Sequence, residues 1–313
     1  MGIFLAVFMY AAWSSVFSIG KLVLENSPPI FLTGFRMFSA GVILLSYLVI
    51  KDRSSLKIGK KQVLPIIALA VFSIYLTNVL ELWGLQYLTA AKTCFIYTIS
   101  PFFAAVFSYF HFGERINSKK LIGMVIGFIG FIPVLRMQTG SEDLFNAFSI
   151  ISWPELAIIG AALFSVYGWI LLRIIVKEQT LSPLYANGYS MLIGGVMAFV
   201  HSLFIDSWTP IPVINNHFFP FIRGIVLMIF VSNILCFNLY GYMLKRYTAT
   251  FLSFMGLLSP IFASINSWII LKETPSWEIL FSSSIVSFGL FLIYQAELKQ
   301  GYIVKKKKKL LEV

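Results

Sequence analysis

Arg36, Glu81 and Lys92 each lie inside a long apolar run, where an ionisable side chain is costly and marks a working position. Arg36 stands about two turns into its run. A guanidinium there either grips a substrate carboxylate through two parallel hydrogen bonds or braces the first helical hairpin through Glu25 or backbone carbonyls. Glu81 and Lys92 fall near one membrane level, so they form either a salt bridge across a turn or an outer gate with a carboxylate that titrates. The amides Asn78, Asn233 and Asn238 need polar partners in hydrocarbon and serve either as substrate contacts or as cross-links between helices. Tyr240 is a further candidate contact in its helix; Ser14, Ser15, Ser100, Ser165 and Ser259 supply hydroxyls, and Trp13, Tyr75, Tyr97 and Tyr167 supply flat faces. Such a set would hold a planar ring, or a sulfonium or ammonium group, by stacking and cation–π contact. Tyr75 with Asn78, and Tyr97 with Ser100, are spaced three apart and would each share a helical face.

Enzyme chemistry has less to work with. His201 and Asp206 have the His-x4-Asp spacing of some acyltransferases, but no extramembrane domain accompanies them to hold an acyl donor. His111 and His217 are dispersed without zinc-ligand spacing, and no glycine-rich phosphate cradle occurs. Cys94 and Cys236 fall inside apolar runs, where packing is their expected role. The chain is therefore read as no enzyme, with no metal and no cofactor; a membrane-embedded acyltransferase is the disfavoured alternative.

These residues must be positioned by membrane helices. Of 313 residues, 58% are hydrophobic and 12% charged, and the mean hydropathy is +0.86. That is too little charge to cover a soluble globule of this size. A bilayer core takes about 20 apolar residues per helix. Apolar runs predict spans near 3–22, 30–50, 63–84, 89–111, 119–135, 154–175, 183–205, 219–244, 248–271 and 277–296. The first has no basic leader and no small-residue cleavage pattern, so it is expected to be retained. In a ten-span arrangement, 18 of the 24 Lys and Arg residues fall on one side, which places both termini in the cytoplasm. The net charge of +11 thus reports orientation and not a nucleic-acid partner.

The chain also repeats itself. An offset of 154 superposes Pro29, Gly34, Met37 and Gly41 on Pro183, Gly188, Met191 and Gly195. An offset of 159 then matches Thr89 to Gly130 with Thr248 to Gly289 without a gap, pairing Ser100-Pro101 with Ser259-Pro260 and Glu114 with Glu273. Five spans per unit is an odd number, so the second unit enters the membrane from the opposite side. The expected fold is all-α integral membrane, with one five-helix repeat at 1–138, its inverted copy at 152–298, and a basic cytoplasmic tail at 299–313. The closing Leu311-Glu312-Val313 has the character of an engineered junction and is set aside. Pro101 and Pro260 each remove a backbone hydrogen bond in mid-helix, as paired hinges or as shape alone. Glu114 and Glu273, at helix boundaries, are expected to cap the next helix. Gly123, Gly127 and Gly130 suit close helix packing.

Trp13, Lys21, Pro28-Pro29, Arg36, Ser100-Pro101, Gly113-Glu114-Arg115, Ser259-Pro260 and Lys272-Glu273 together resemble the drug/metabolite transporter superfamily, EamA type. Ser14 stands where that pattern has glycine, and Thr274 where it has a second arginine. The resemblance covers nearly the whole chain. It implies a secondary-active transporter of a small organic metabolite in a bacterial-type cytoplasmic membrane, working by alternating access around a cavity lined by helices 1, 3, 4, 6, 8 and 9. Family members move amino acids, purines, nucleotide sugars, drugs and, in some intracellular bacteria, S-adenosylmethionine against S-adenosylhomocysteine. Aromatic, amide and Arg side chains at depth favour an amino-acid-like zwitterion or its adenosylated relative, with S-adenosylmethionine/S-adenosylhomocysteine exchange the most specific expectation. An exporter of aromatic amino acids, nucleosides or drugs is the alternative. The expected partners are substrate, lipid and a coupling proton or counter-substrate, for a monomer or weak dimer.

Overall fold

The computed structural model describes residues 2–51, 59–113, 117–137, 151–177, 181–214, 218–245, 247, 252 and 255–300. Ten apolar helices follow in order: α1 (Gly2–Leu24), α2 (Pro29–Lys51), α3 (Lys60–Tyr87), α4 (Ala90–Phe112), α5 (Ser118–Arg136), α6 (Trp153–Lys177), α7 (Pro183–Ile205), α8 (Phe218–Leu244), α9 (Gly256–Leu271) and α10 (Trp277–Gln300). Among the described residues nine are long and apolar enough to cross a bilayer, and α9 is shorter. Hydrocarbon leaves a backbone few ways to satisfy its polar groups, so apolar runs of this length become helices. Glu114, Arg115 and the tail at 301–313 lie outside the described residues.

The helices are interrupted at matching places. In α3 the backbone widens to π geometry over Ala70–Leu76, and in α8 over Ile229–Cys236. An asparagine satisfies loosened carbonyls in each. Asn78 Nδ2 donates to Ser73 O at 3.2 Å and Ile74 O at 2.8 Å, and Asn238 Nδ2 donates to Asn233 O at 3.0 Å and Ile234 O at 2.9 Å. In α4 the chain tightens to a 3-10 turn over Tyr97–Ile99 and restarts at Ser100–Phe112 with Pro101 in its first turn. α9 does the same over Gly256–Leu258 and Ser259–Leu271 with Pro260. Proline lacks the N–H that would bond back to the preceding turn, and its ring crowds that turn. Both segments end on a left-handed residue, Gly113 at φ 65° and Lys272 at φ 60°. The starts of the π turns, the 3-10 turns, the prolines and the left-handed ends recur at the offset of 159, and the two asparagines at 160.

Two helix pairs touch backbone to backbone. A Cβ on Gly41 of α2 would lie 2.5 Å from Leu192 N of α7, and one on Gly195 of α7 would lie 2.3 Å from Phe38 N of α2. Likewise a Cβ on Gly123 of α5 would lie 2.4 Å from Gly289 O of α10, and one on Gly289 would lie 2.5 Å from Gly123 O. Lipid is as apolar as leucine, so such close van der Waals contact is what holds helices together there. Gly195→Val is accordingly expected to cost at least about 1–3 kcal/mol, because the backbone of α2 must move. A thermal-unfolding midpoint in detergent equal to that of the parent protein would contradict this packing.

Candidate functional site

Between α1, α2, α3, α4, α6, α8 and α9 lies a cavity of about 120 Å³. Helical spacing delivers its walls. α1 contributes Tyr10, Trp13, Ser14 and Phe17; α3 contributes Ser73, Thr77, Asn78 and Glu81; α6 contributes Ser165 and Trp169, four apart. α8 adds Ser232, Phe237 and Tyr240, while the 3-10 breaks of α4 and α9 turn Tyr97, Ser100, Gly256 and Ser259 inward.

One wall is an aromatic box. The Trp13 ring is 5.7 Å from Trp169, 5.3 Å from Phe237 and 6.0 Å from Tyr240, and Trp169 is 4.3 Å from Tyr240. These separations suit edge and tilted aromatic contacts, whose faces attract cations. Another wall is charged but balanced. Arg36, 1% exposed, donates from Nη2 to Asn78 Oδ1, while its Nε has no hydrogen-bond partner among the described residues. The Tyr97 hydroxyl donates to Glu81 Oε2 at 2.6 Å, and the Glu81 carboxylate attracts the Arg36 guanidinium. Arg36 thus braces α3 through Asn78, not the α1–α2 hairpin through Glu25. Asn78 does two tasks, since its Nδ2 plugs the π turn and its Oδ1 orients Arg36.

Several expected residues lie elsewhere. Tyr75 bonds His201 Nδ1 at 2.9 Å and does not line the cavity, because the π turn shifts its face away from that of Asn78. Tyr167, two residues from Ser165, points to the other side of α6, where its ring meets Phe72 at 4.9 Å and Phe107 at 5.4 Å. Ser15, one residue past Ser14, donates to Ala12 O at 2.7 Å. Asn233 links α8 to α2 and α7 through the sulfurs of Met37 and Met191, and Asn238 accepts from Asn187 Nδ2 at 3.0 Å. Both are cross-links and neither lines the cavity.

The Glu81–Lys92 pair is not made. Five residues separate Lys92 from Tyr97, which rotates Lys92 well away from Glu81 around α4. Lys92 instead meets Glu155 at 2.9 Å at the start of α6 and also donates to Met137 O. Lys21 donates to Leu88 O at 2.6 Å and Glu273 Oε1 at 3.1 Å. That leaves Ser276, not Glu273, to cap α10, through Ile279 N at 3.3 Å. The His201–Asp206 pair forms no dyad. His201 holds Tyr75, and Asp206 Oδ2 accepts from Phe31 N at 3.1 Å in the first turn of α2. Tyr10, Phe17, Trp169 and Phe237 escaped the sequence reading, although 10, 13 and 17 on α1 and 165 and 169 on α6 carry the helical spacing that would have found them.

Residues 1–136 and 152–295 match the EamA-like transporter family. The chain is 39% identical over 305 residues, covering 97% of it and 92% of the relative, to an S-adenosylmethionine/S-adenosylhomocysteine transporter of Chlamydia trachomatis serovar L2. A protein of that name from Chlamydia muridarum is 38% identical over 97% of this chain and 95% of its own. An uncharacterized transporter of Buchnera aphidicola is 29% identical over 84% and 83%. A solved crystal structure superposes with a TM-score of 0.67 over 96% of this chain and 97% of that chain at 13% identity, a likeness of fold alone.

Proposed function

Because the chain belongs to the EamA-like transporter family, we propose that it exchanges S-adenosylmethionine for S-adenosylhomocysteine across a bacterial cytoplasmic membrane. The observation that carries this reading is the box of Trp13, Trp169, Phe237 and Tyr240 beside a charge-balanced polar wall in one cavity. A purine stacks on such rings, and a sulfonium is a cation for their faces. The names of the two chlamydial relatives support the same cargo.

The two five-helix halves, opposite in sense across the membrane, rock against each other and expose the cavity to each side in turn. The breaks before Pro101 and Pro260 act as hinges, because a 3-10 turn ahead of a proline already lacks regular helical bonds. Both termini are cytoplasmic, so the Lys21–Glu273 pair closes the outer side when the cavity faces inward. The counter-substrate drives the cycle, and all the binding groups come from one chain.

Proteoliposomes loaded with S-adenosylhomocysteine should take up labelled S-adenosylmethionine saturably, and faster than empty vesicles do. Uptake of aromatic amino acids or nucleosides with none of S-adenosylmethionine would overturn this assignment, and conductance without saturation would make the protein a channel.

A further inference from the structure

The two halves of the chain have diverged at the cavity, and the divergence gives it two chemically different ends. At the offset of 159, Asn78, Glu81 and Tyr97 correspond to Phe237, Tyr240 and Gly256, and all six line the cavity. Ser73 and Ser100 correspond to Ser232 and Ser259, hydroxyls in both halves. At the pairs Asn78 with Phe237 and Glu81 with Tyr240 the first half therefore carries an amide and a carboxylate where the second half carries rings.

The clasps around the π turns differ in the same sense. In the first half Arg36 holds Asn78. In the second the holder is the neutral Asn187, whose partner Asn238 stands one residue beyond the equivalent position, about 100° around the helix, and faces away from the cavity. Among the described residues, Arg36 and Glu81 are thus the two charged residues lining the cavity, and both belong to the first half.

Arg36 Nε is without a hydrogen-bond partner among the described residues, and Asn78 engages Nη2. Glu81 lines the cavity with its Oε2 engaged by Tyr97. A carboxylate fits the guanidinium edge, and an ammonium fits the carboxylate. A zwitterion satisfies both and adds no net charge to a buried site.

Resting on the exchange reading above, we infer that the cargo binds in one orientation, with its α-carboxylate held by Arg36, its α-amino group held by Glu81, and its sulfur and purine held by the aromatic box. The amino-acid head is then a requirement for tight binding and not a passive appendage.

Three probes share the flat end and differ at the head: S-adenosylhomocysteine, 5′-deoxy-5′-(3-aminopropylthio)adenosine, which lacks the carboxylate, and 5′-methylthioadenosine, which lacks both charges. As competitors of labelled S-adenosylmethionine uptake, the two truncated compounds should be at least about tenfold weaker than S-adenosylhomocysteine. In Arg36→Gln the difference between S-adenosylhomocysteine and the aminopropyl compound should collapse toward one, and Arg36→Lys should restore part of it. If Arg36→Gln does not fold, the competition series on the parent protein still decides. Equal inhibition by all three overturns the inference and leaves the exchange reading standing. No S-adenosylmethionine uptake by the parent protein overturns that reading, and the inference with it.

Discussion

Trp169→Ala should raise the half-saturation concentration for S-adenosylmethionine by tens of fold, while Tyr167→Ala should leave it unchanged. Trp169 is 7% exposed, and its ring packs at 4.3 Å on Tyr240, 5.2 Å on Phe237 and 5.7 Å on Trp13. Removing it opens the box on one side and frees its neighbours to turn. A desolvated cation–π contact is worth about 2 kcal/mol or more, and each 1.4 kcal/mol is about tenfold in affinity, so this contact alone accounts for roughly thirtyfold. Trp169→Phe keeps a ring face and should fall between parent and alanine. Tyr167 is the matched control, an aromatic residue two positions away whose ring meets Phe72, Phe107 and His111 outside the cavity. The measurement is initial uptake into proteoliposomes against substrate concentration, normalised to reconstituted protein. An unchanged half-saturation in Trp169→Ala would remove the box from the substrate path.

The fold was legible because hydrocarbon leaves few alternatives. Long apolar runs became helices, and Pro101 and Pro260 broke theirs where a missing N–H requires it. The cavity was legible in part. Trp13, Ser14, Arg36, Asn78, Tyr97, Ser100, Ser165, Tyr240 and Ser259 do line it, and so does Glu81, which was expected at an outer gate. The misplaced residues share one cause, helical phase. Ser15 and Tyr167 stand one and two positions from true lining residues, and neighbours at that spacing cannot face the same way. Tyr75 looked in phase with Asn78, but the π turn between them changes the angle per residue, and nothing in the local composition announces that turn. Trp169 and Phe237 were hidden for a different reason. In a chain that is 17% aromatic, one more ring carries no contrast until its distance along the helix from Ser165 or Tyr240 is counted. Lys92 was drawn toward Glu81 by membrane level alone, whereas its direction around α4 aims it at α6.

That direction makes Lys92 a strut, with a large consequence for stability. Its side chain and that of Glu155 are 1% and 2% exposed, and the charges lie 2.9 Å apart. Glu155 stands in the first turn of α6 and accepts from Ser152 N at 2.7 Å and Ser152 Oγ at 3.0 Å, where the helix dipole favours a carboxylate. Lys92→Met would leave that carboxylate buried without its counter-charge, a loss of about 3–5 kcal/mol. Lys92→Met with Glu155→Leu removes both charges and should recover most of this, short of the roughly 0.5–2 kcal/mol lost with the Ser152–Glu155 cap. Unfolding of the single and double variants in detergent would give the coupling directly. A pair that only ties α4 to α6 is indifferent to which way the cavity faces, so the double variant should still exchange substrate at close to the parent rate. A double variant as stable as expected but inactive would instead make the pair part of the moving gate.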